Sequence, residues 1–294
     1  MYTRITQRSI QSTSLAGLQL NLGKLGDLQQ QLSSGKLITK PSDSPSDSVS
    51  ILELQSEIRA NQQYSRNADD GIGWLNTIDN ALSGAMDNLH RVRDLTLQGM
   101  STGAADAQAR EAIATEVDQI RQGLIQTGNA QYLDRPVFGG TTAGSAAYAA
   151  DGTFIGDTTP VTRTVGDNTK VRVDGAGPDV FGTGDTQLFT VLADLSKHLR
   201  QDPTQVGNDL GHLDTATSRV LGALTDAGAR YSRVMQLRQS ADDRVMDLKS
   251  ALSGVQDIDL PKTITELQMQ QVAYQAALGA TAKVIQPSLL DFLR

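Results

Sequence analysis

Residues 29–47 read QQQLSSGKLITKPSDSPSD. A glutamine- and leucine-bearing stretch stops at Ser33-Ser34-Gly35 and gives way to serine, aspartate and proline. Glycine enters the left-handed conformation that ends helices, and Pro41 and Pro45 keep residues 36–45 out of a helix interior. Ser46 or Asp47 is placed to cap the next helix. The stretch is either a loop between two core helices or a hinge between parts of the chain that become ordered separately. That choice decides the architecture.

Upstream, Leu15, Leu18, Leu22, Leu25, Gln29 and Leu32 alternate steps of three and four, the spacing of a coiled-coil seam, and Leu28 falls on the same face. The stripe is wider than a two-stranded seam needs, which implies more than one partner surface. Downstream, the same spacing runs from Ile51 through Ile72, Leu75, Ile78, Leu82, Leu89 and Val92 to about Gln98. Asn61 and Ser65 are polar seam positions that set register, and Asp69-Asp70 is a charge pair suited to a helix terminus. Gly99 to Gly103 ends this helix, and a third, over about 105–127, folds back as its antiparallel partner.

Beyond Asn129 the composition changes. Residues 136–186 are rich in Gly, Thr, Asp and Val, with alternating runs at Thr162–Val165 and Lys170–Val173, the pattern of a small β-rich insert. Helical spacing returns over Leu188–Leu199, and a long helix comes next over about 204–253 through Leu213, Val220, Leu224, Met235 and Leu248. Gly254 through Pro261 breaks it. A last helix, about 262–292, carries Ile264, Leu267, Gln271, Tyr274, Leu278, Thr281 and Ile285, and beyond them Leu289 and Phe292.

The plan is nearly palindromic, and the break at 254–261 mirrors the one at 33–46, which favours the hinge. The expected fold is mainly α: an elongated antiparallel helical bundle, or rod, with paired N- and C-terminal coiled-coil helices and a small β-rich insert. Its expected parts are a tail helix and hinge (1–45), rod helices (46–135 and 187–254), the insert (136–186) and a C-terminal tail (255–294). Ser34, Gly35, Pro41, Pro45, Gly254 and Pro261 are the hinge candidates. Leu15, Leu18, Leu22, Leu25, Leu32, Ile264, Leu267, Tyr274, Leu278, Ile285, Leu289 and Phe292 are the candidates for subunit interfaces. Two terminal helices that met only each other would bury little against the entropy of ordering their backbones. The tails are therefore expected to be mobile in the monomer and ordered on assembly.

Composition argues for packing over chemistry. Aromatic residues make up 4% of the 294, which disfavours a globular enzyme with an aromatic-lined pocket. The chain has no cysteine, so disulfides, zinc–thiolate sites and thiol catalysis are excluded. His90, His198 and His212 lack metal-ligand spacing and read as solvated surface histidines. No cofactor motif is present. Gly175-Ala-Gly177-Pro-Asp179-Val-Phe181 looks like one unit of a calcium-binding nonapeptide repeat, though a turn in the insert is the plainer reading. The net charge is −7, yet residues 1–40 hold five cations against Asp27 alone. That excess lacks interleaved aromatics, so no nucleic-acid partner is expected, and no apolar run reaches the ~20 residues of a membrane span. The N-terminus also lacks the apolar core of a secretory signal.

Several stretches in order carry a resemblance: Arg4-Ile5-Thr6, Gln31-Leu-Ser-Ser-Gly-Lys36, Lys40-Pro-Ser-Asp43, Ala81-Leu82 with Arg91-Val-Arg-Asp-Leu95, Tyr132 through Phe138-Gly-Gly140, and the ending Ala276-Ala-Leu, Ala282-Lys-Val-Ile-Gln286 and Ser288-Leu-Leu-Asp-Phe-Leu293. Together they resemble the flagellin superfamily, and within it the subunits of the hook–filament junction. Where that family usually has Ser-Asp-Asp-Pro, this chain has Ser42-Asp43-Ser44-Pro45, which leaves any role of the second acid open. The resemblance implies a non-enzymatic structural subunit exported through the flagellar type III apparatus, cytoplasmic only in transit. It implies as partners copies of itself in a ring, the other hook-associated junction protein, flagellin, and a cytoplasmic export chaperone on the C-terminal helix. Filament flagellin itself is the near alternative, and a secreted calcium-dependent binding protein the distant one.

Overall fold

The computed structural model describes residues 7–101 and 106–285. In chain order the elements are α1 (Gln7–Ser34), α2 (Pro45–Ser101), α3 (Ala107–Gly128), β1 (Gln131–Tyr132), β2 (Arg135–Pro136), β3 (Thr162–Gly166), β4 (Thr169–Arg172), α4 (Gly177–Phe181), α5 (Leu188–Gln201), α6 (Val206–Gln256) and α7 (Leu260–Ile285). Two antiparallel hairpins, β1–β2 and β3–β4, are the sheets among the described residues. The fold is mainly α with a small β-rich insert.

Several element ends differ from the sequence expectation, each for a local reason. α2 starts at Pro45, where a missing N–H costs a helix nothing. Ser44, not Ser46 or Asp47, stands at its cap: the Ser44 carbonyl accepts from the Ser48 amide (2.9 Å) and the Ser44 hydroxyl donates to the Asp47 carboxylate (2.7 Å). Gly254 does not end α6. The helix runs on to Gln256, the Asp257 amide still reaches the Ser253 carbonyl (2.9 Å), and the Ser253 hydroxyl donates to the Asp257 carboxylate (2.6 Å). A helical glycine costs about 1 kcal/mol against alanine, less than unwinding a turn. Gly99 likewise stays helical, its bare face against Leu199 of α5.

The chain divides into two compact units, residues 1–59 with 246–294, and residues 60–245. The second holds a continuous core. α2 contributes Trp74, Ile78, Leu82, Leu89 and Val92, α3 contributes Val117 and Leu124, and α5 contributes Leu188, Leu192, Leu195 and Leu199. From α6 come Leu213 and Val220. Further along α6 the buried residue is Val234, whereas Met235, expected on that stripe, is exposed. α3 and α5 are tied by Arg200, which donates to Glu111 (3.0 Å) and Asp118 (2.9 Å).

The few aromatic residues are concentrated. Phe138, Tyr148, Phe154, Phe181 and Phe189 form one ring cluster with centroid separations from 5.1 Å (Tyr148–Phe189) to 5.6 Å (Tyr148–Phe181). Burial raises the Tyr148 phenol above its ordinary pKa. Asn129, at the end of α3, fastens the loop that delivers Tyr148: its side-chain oxygen accepts from the amides of Ala147 (2.7 Å) and Tyr148 (2.8 Å), and its nitrogen donates to the Tyr148 carbonyl (2.9 Å). Gly175 and Gly177 face these rings, and residues 177–181 form the short helix α4 whose Phe181 joins the cluster. The stretch that looked like a calcium repeat or a turn is therefore a helical packing element.

Two further expectations need correction. Asp69-Asp70 sits in the interior of α2, not at a terminus. Asp70 pairs with Arg163 of β3 (2.5 Å) and Asp69 with Arg238 of α6 (2.7 Å). His198 is not a solvated surface residue: its Nδ1 lies 2.7 Å from the nearly buried Asp209 carboxylate, joining the end of α5 to the first turn of α6. His90 and His212 are exposed.

Gly140 adopts φ +60°, and a Cβ there would overlap the Asp157 carbonyl. Gly84 lies on an open face of α2 with nothing near its Cβ position. Thermal unfolding of the full chain is expected to show opposite signs for the same substitution. Gly84→Ala should stabilise by about 0.5–1 kcal/mol and Gly140→Ala should destabilise by about 2 kcal/mol or more. Equal effects would mean the 138–140 turn is not held against residue 157.

Candidate assembly interface and hinge

α1 and α7 lie side by side in the first unit. Gly35 is bonded to Ile258 at one end, and further along the Gln270 side chain donates to Asn21 (3.2 Å), so the helices run antiparallel. Half-buried positions on α1 are Ser14, Leu18, Asn21, Leu25, Leu28, Gln31 and Leu32. Their counterparts on α7 are Thr263, Leu267, Gln270, Tyr274, Ala277 and Thr281, of which the two threonines are buried.

Both seams keep the sequence-derived spacing but rotate by one residue. Leu18, Leu25 and Leu32 face the partner helix side, as do Leu267 and Tyr274. Leu15 (51% exposed), Leu22 (55%), Ile264 (41%) and Leu278 (44%) do not. Asn21 and Leu28 take the flank where Leu22 and Gln29 were expected, and Gln270 and Ala277 that of Gln271 and Leu278. The pair thus closes partly on smaller or polar side chains and leaves larger apolar ones outward. Met269 and Val272 on another face of α7 are exposed as well. Ile285 is the last described residue, while Leu289 and Phe292 lie outside the described residues.

The hinge candidates occupy distinct roles. Ser34 ends α1, and its hydroxyl accepts from the Lys36 amide (3.2 Å). Gly35 takes φ +71° while its amide closes on the Gln31 carbonyl (2.8 Å). Pro41 lies in the turn closed by the Asp43 amide on the Lys40 carbonyl (3.0 Å). Pro45 opens α2, Gly254 is inside α6, and Pro261 is the second residue of α7, whose start is capped by Asp259 accepting from the Lys262 amide (3.2 Å).

The two breaks are not independent linkers. The Leu37 amide donates to the Gln256 carbonyl (2.7 Å), and the Ile258 amide donates to the Gly35 carbonyl (3.1 Å), an antiparallel bridge centred on Lys36 and Asp257. Ile38, beside it, is buried. Asp43 organises the rest of the crossing: one carboxylate oxygen accepts from the Lys40 amide (2.9 Å), the Thr39 amide (3.0 Å) and the Thr39 hydroxyl (3.2 Å). The Lys40 and Thr39 amides hold that carboxyl below the usual carboxylate range. Neither Ile38 nor Asp43 stood out by periodicity. Asp two residues after a proline is a turn signal, and it was the available clue.

Known proteins share these elements. Residues 5–141 match the bacterial flagellin N-terminal helical region. The flagellar filament 33 kDa core protein of Treponema phagedenis is 26% identical, over 100% of this chain and 98% of that protein. The N-terminal part of the chain thus carries a flagellin-type helical region. Flagellar hook-associated protein 3 of Salmonella typhimurium is 22% identical over 93% of this chain and 94% of its own length. The fold matches a putative flagellar hook-associated protein from Vibrio parahaemolyticus with TM-score 0.67 and 20% identity, over 73% of this chain and 100% of that one. The flagellin-type match takes in α1, the Asp43 crossing, α2, α3 and the first hairpin. The proteins it resembles in sequence and in fold are flagellar filament and hook-associated proteins. Among the described residues no helix is long and apolar enough to cross a membrane.

Asp43→Ala is expected to speed protease cleavage between residues 36 and 44 several-fold at neutral pH while leaving the far-UV circular dichroism unchanged. Because the folded pKa of Asp43 is depressed, the clip is fully present above the ordinary carboxylate range near pH 4 and is lost as pH falls through the lower folded value. Unchanged cleavage in the variant would show that the crossing is held without its carboxylate.

Proposed function

We propose that this chain is a structural adaptor subunit at the junction between flagellar hook and filament, assembling by packing its terminal helices with those of neighbouring copies. The observation that carries the reading is the rotated seam, with Leu15, Leu22, Ile264 and Leu278 left outside a helix pair that closes on Asn21, Gln270 and two threonines. An apolar stripe on each helix beyond its partner fits further helices around it. On this reading the tails gain their full burial on assembly. Similarity to hook-associated protein 3 along nearly the whole chain supports the junction position, as does the small size of the 136–186 insert.

The partners on this reading are copies of the chain in a ring, the other hook-associated junction protein on one side and flagellin on the other. Before type III export, a cytoplasmic chaperone would cover α7, where exposed Met269 and Val272 otherwise favour aggregation. The full-length match to a Treponema filament protein favours a second reading, a filament subunit.

Leu278→Asp is expected to leave the monomer soluble with an unchanged melting temperature, and to abolish both assembly and the motility of cells that depend on this chain. Normal motility would remove the case for the outward stripe. Purified chain added to flagellin seeds separates the two readings: a junction subunit stops after a short cap, whereas growth of long filaments would make it a filament subunit.

A further inference from the structure

The β1–β2 hairpin turns through Leu133 (φ +49°) and Asp134 (φ +61°), two side-chain-bearing residues in the left-handed region. Asn-Gly is the favoured pair for such a two-residue turn, and a leucine there is strained. The same leucine is 73% exposed, the highest value among the large apolar side chains of the described residues. The hairpin itself is firmly based. Tyr132 packs on Trp74 (ring centroids 5.7 Å apart), and the Arg135 guanidinium lies 6.0 Å from the same ring. A strained, exposed leucine on a rigid support is the form of a docking knob.

A complementary socket exists on the same unit. A groove of about 310 Å³ is floored by Leu75, Ile78, Leu82 and Ala223 of α2 and α6. Three arginines line it, together with Asp174, Asp179 and Asp226. Arg172 is held by the buried Asp174 (2.9 Å), and Arg230 is paired with Asp226. Arg219 donates to the Thr186 carbonyl (3.1 Å) and, among the described residues, has no carboxylate within ion-pair distance. Next to the exposed leucine stands exposed Asp134, the charge that Arg219 lacks.

We infer that the hairpin tip of one copy seats Leu133 in this groove of a second copy, with Asp134 meeting Arg219. Knob and socket are different surfaces of one chain, so the contact is head-to-tail and repeats into a ring or helix. The inference rests on the self-assembly reading but concerns the body of the protein, not the terminal helices.

The chain has no cysteine, so engineered thiols report without background. In the full chain, Leu133→Cys with Ala223→Cys is expected to give a ladder of disulfide-linked multimers under mild oxidation, whereas each single variant gives none beyond dimer. Leu133→Asn with Asp134→Gly relieves the turn and should raise the melting temperature by about 2–4 °C. The same change should weaken assembly about 10- to 100-fold, the loss for one buried leucine. A double-cysteine chain with native circular dichroism and no ladder overturns the contact, as does undiminished assembly of the relaxed-turn variant. Polymer without a ladder leaves the terminal-helix reading standing, and a ladder without polymer sustains this contact while removing that reading.

Discussion

Two backbone hydrogen bonds between opposite ends of the chain fix the terminal assembly. Leu37 to Gln256 and Ile258 to Gly35 make the crossings of α1 into α2 and of α6 into α7 a single paired structure. The register of α1 against α7 is set by them, because once Gly35 stands opposite Ile258, two antiparallel helices of equal rise bring Asn21 near Gln270. Gly35 is needed where the chain turns through positive φ, and Asp43 then gathers the amides of the returning strand. Hinge is therefore too loose a word for residues 34–45. They form a clip whose strength depends on a few polar contacts at the surface, where water competes and side-chain carboxylates titrate.

The rotated seam is the consequence with most bearing on function. Leu18, Leu25 and Leu32 recur every seven residues, and a partner helix can lie on either flank of that line. On one flank stand Leu15, Leu22 and Gln29, on the other Ser14, Asn21 and Leu28. An isolated pair maximising its own burial would take the more apolar flank. The choice of Asn21, fixed by its bond to Gln270, makes sense if the other flank serves neighbours. A half-buried polar contact sets register at some cost in stability, as polar seam residues do in coiled coils.

Much of the fold was legible in the sequence because it is periodic. Steps of three and four placed α1, α2, α3, α5, α6 and α7, and the change of composition after Asn129 placed the hairpins. The features that escaped depend on partners distant along the chain. Periodicity alone cannot choose between the two flanks of the Leu18–Leu25–Leu32 line, and glycine signals helix ends without saying whether a side chain from elsewhere fills its place, as Leu199 does at Gly99. Asp69 and Asp70 read as charges for a helix terminus because their partners Arg238 and Arg163 are far away in sequence. The few aromatic residues are concentrated in one ring cluster drawn mostly from the insert, which composition alone could not show. At the terminal interface, sequence shows the stripe but not the occupant.

The two units differ in how far they satisfy themselves. Unit 60–245 buries Trp74, four phenylalanine and tyrosine rings and a long run of leucines. Among the described residues of the other unit, the buried apolar side chains are Ile38 in the crossing, Ile51 and Ile58 of α2 and Leu248 of α6, and none lies on α1 or α7. Burial at about 25 cal/mol per Å² of apolar surface is what offsets the entropy of ordering a helix, so a helix pair with half-buried leucines gains less from its own packing than unit 60–245 does. The contrast is between a unit with a continuous apolar core and a helix pair that leaves large apolar side chains exposed. The Asp43 clip sits at the base of the helix pair, beside the two backbone bonds that set the register of α1 against α7.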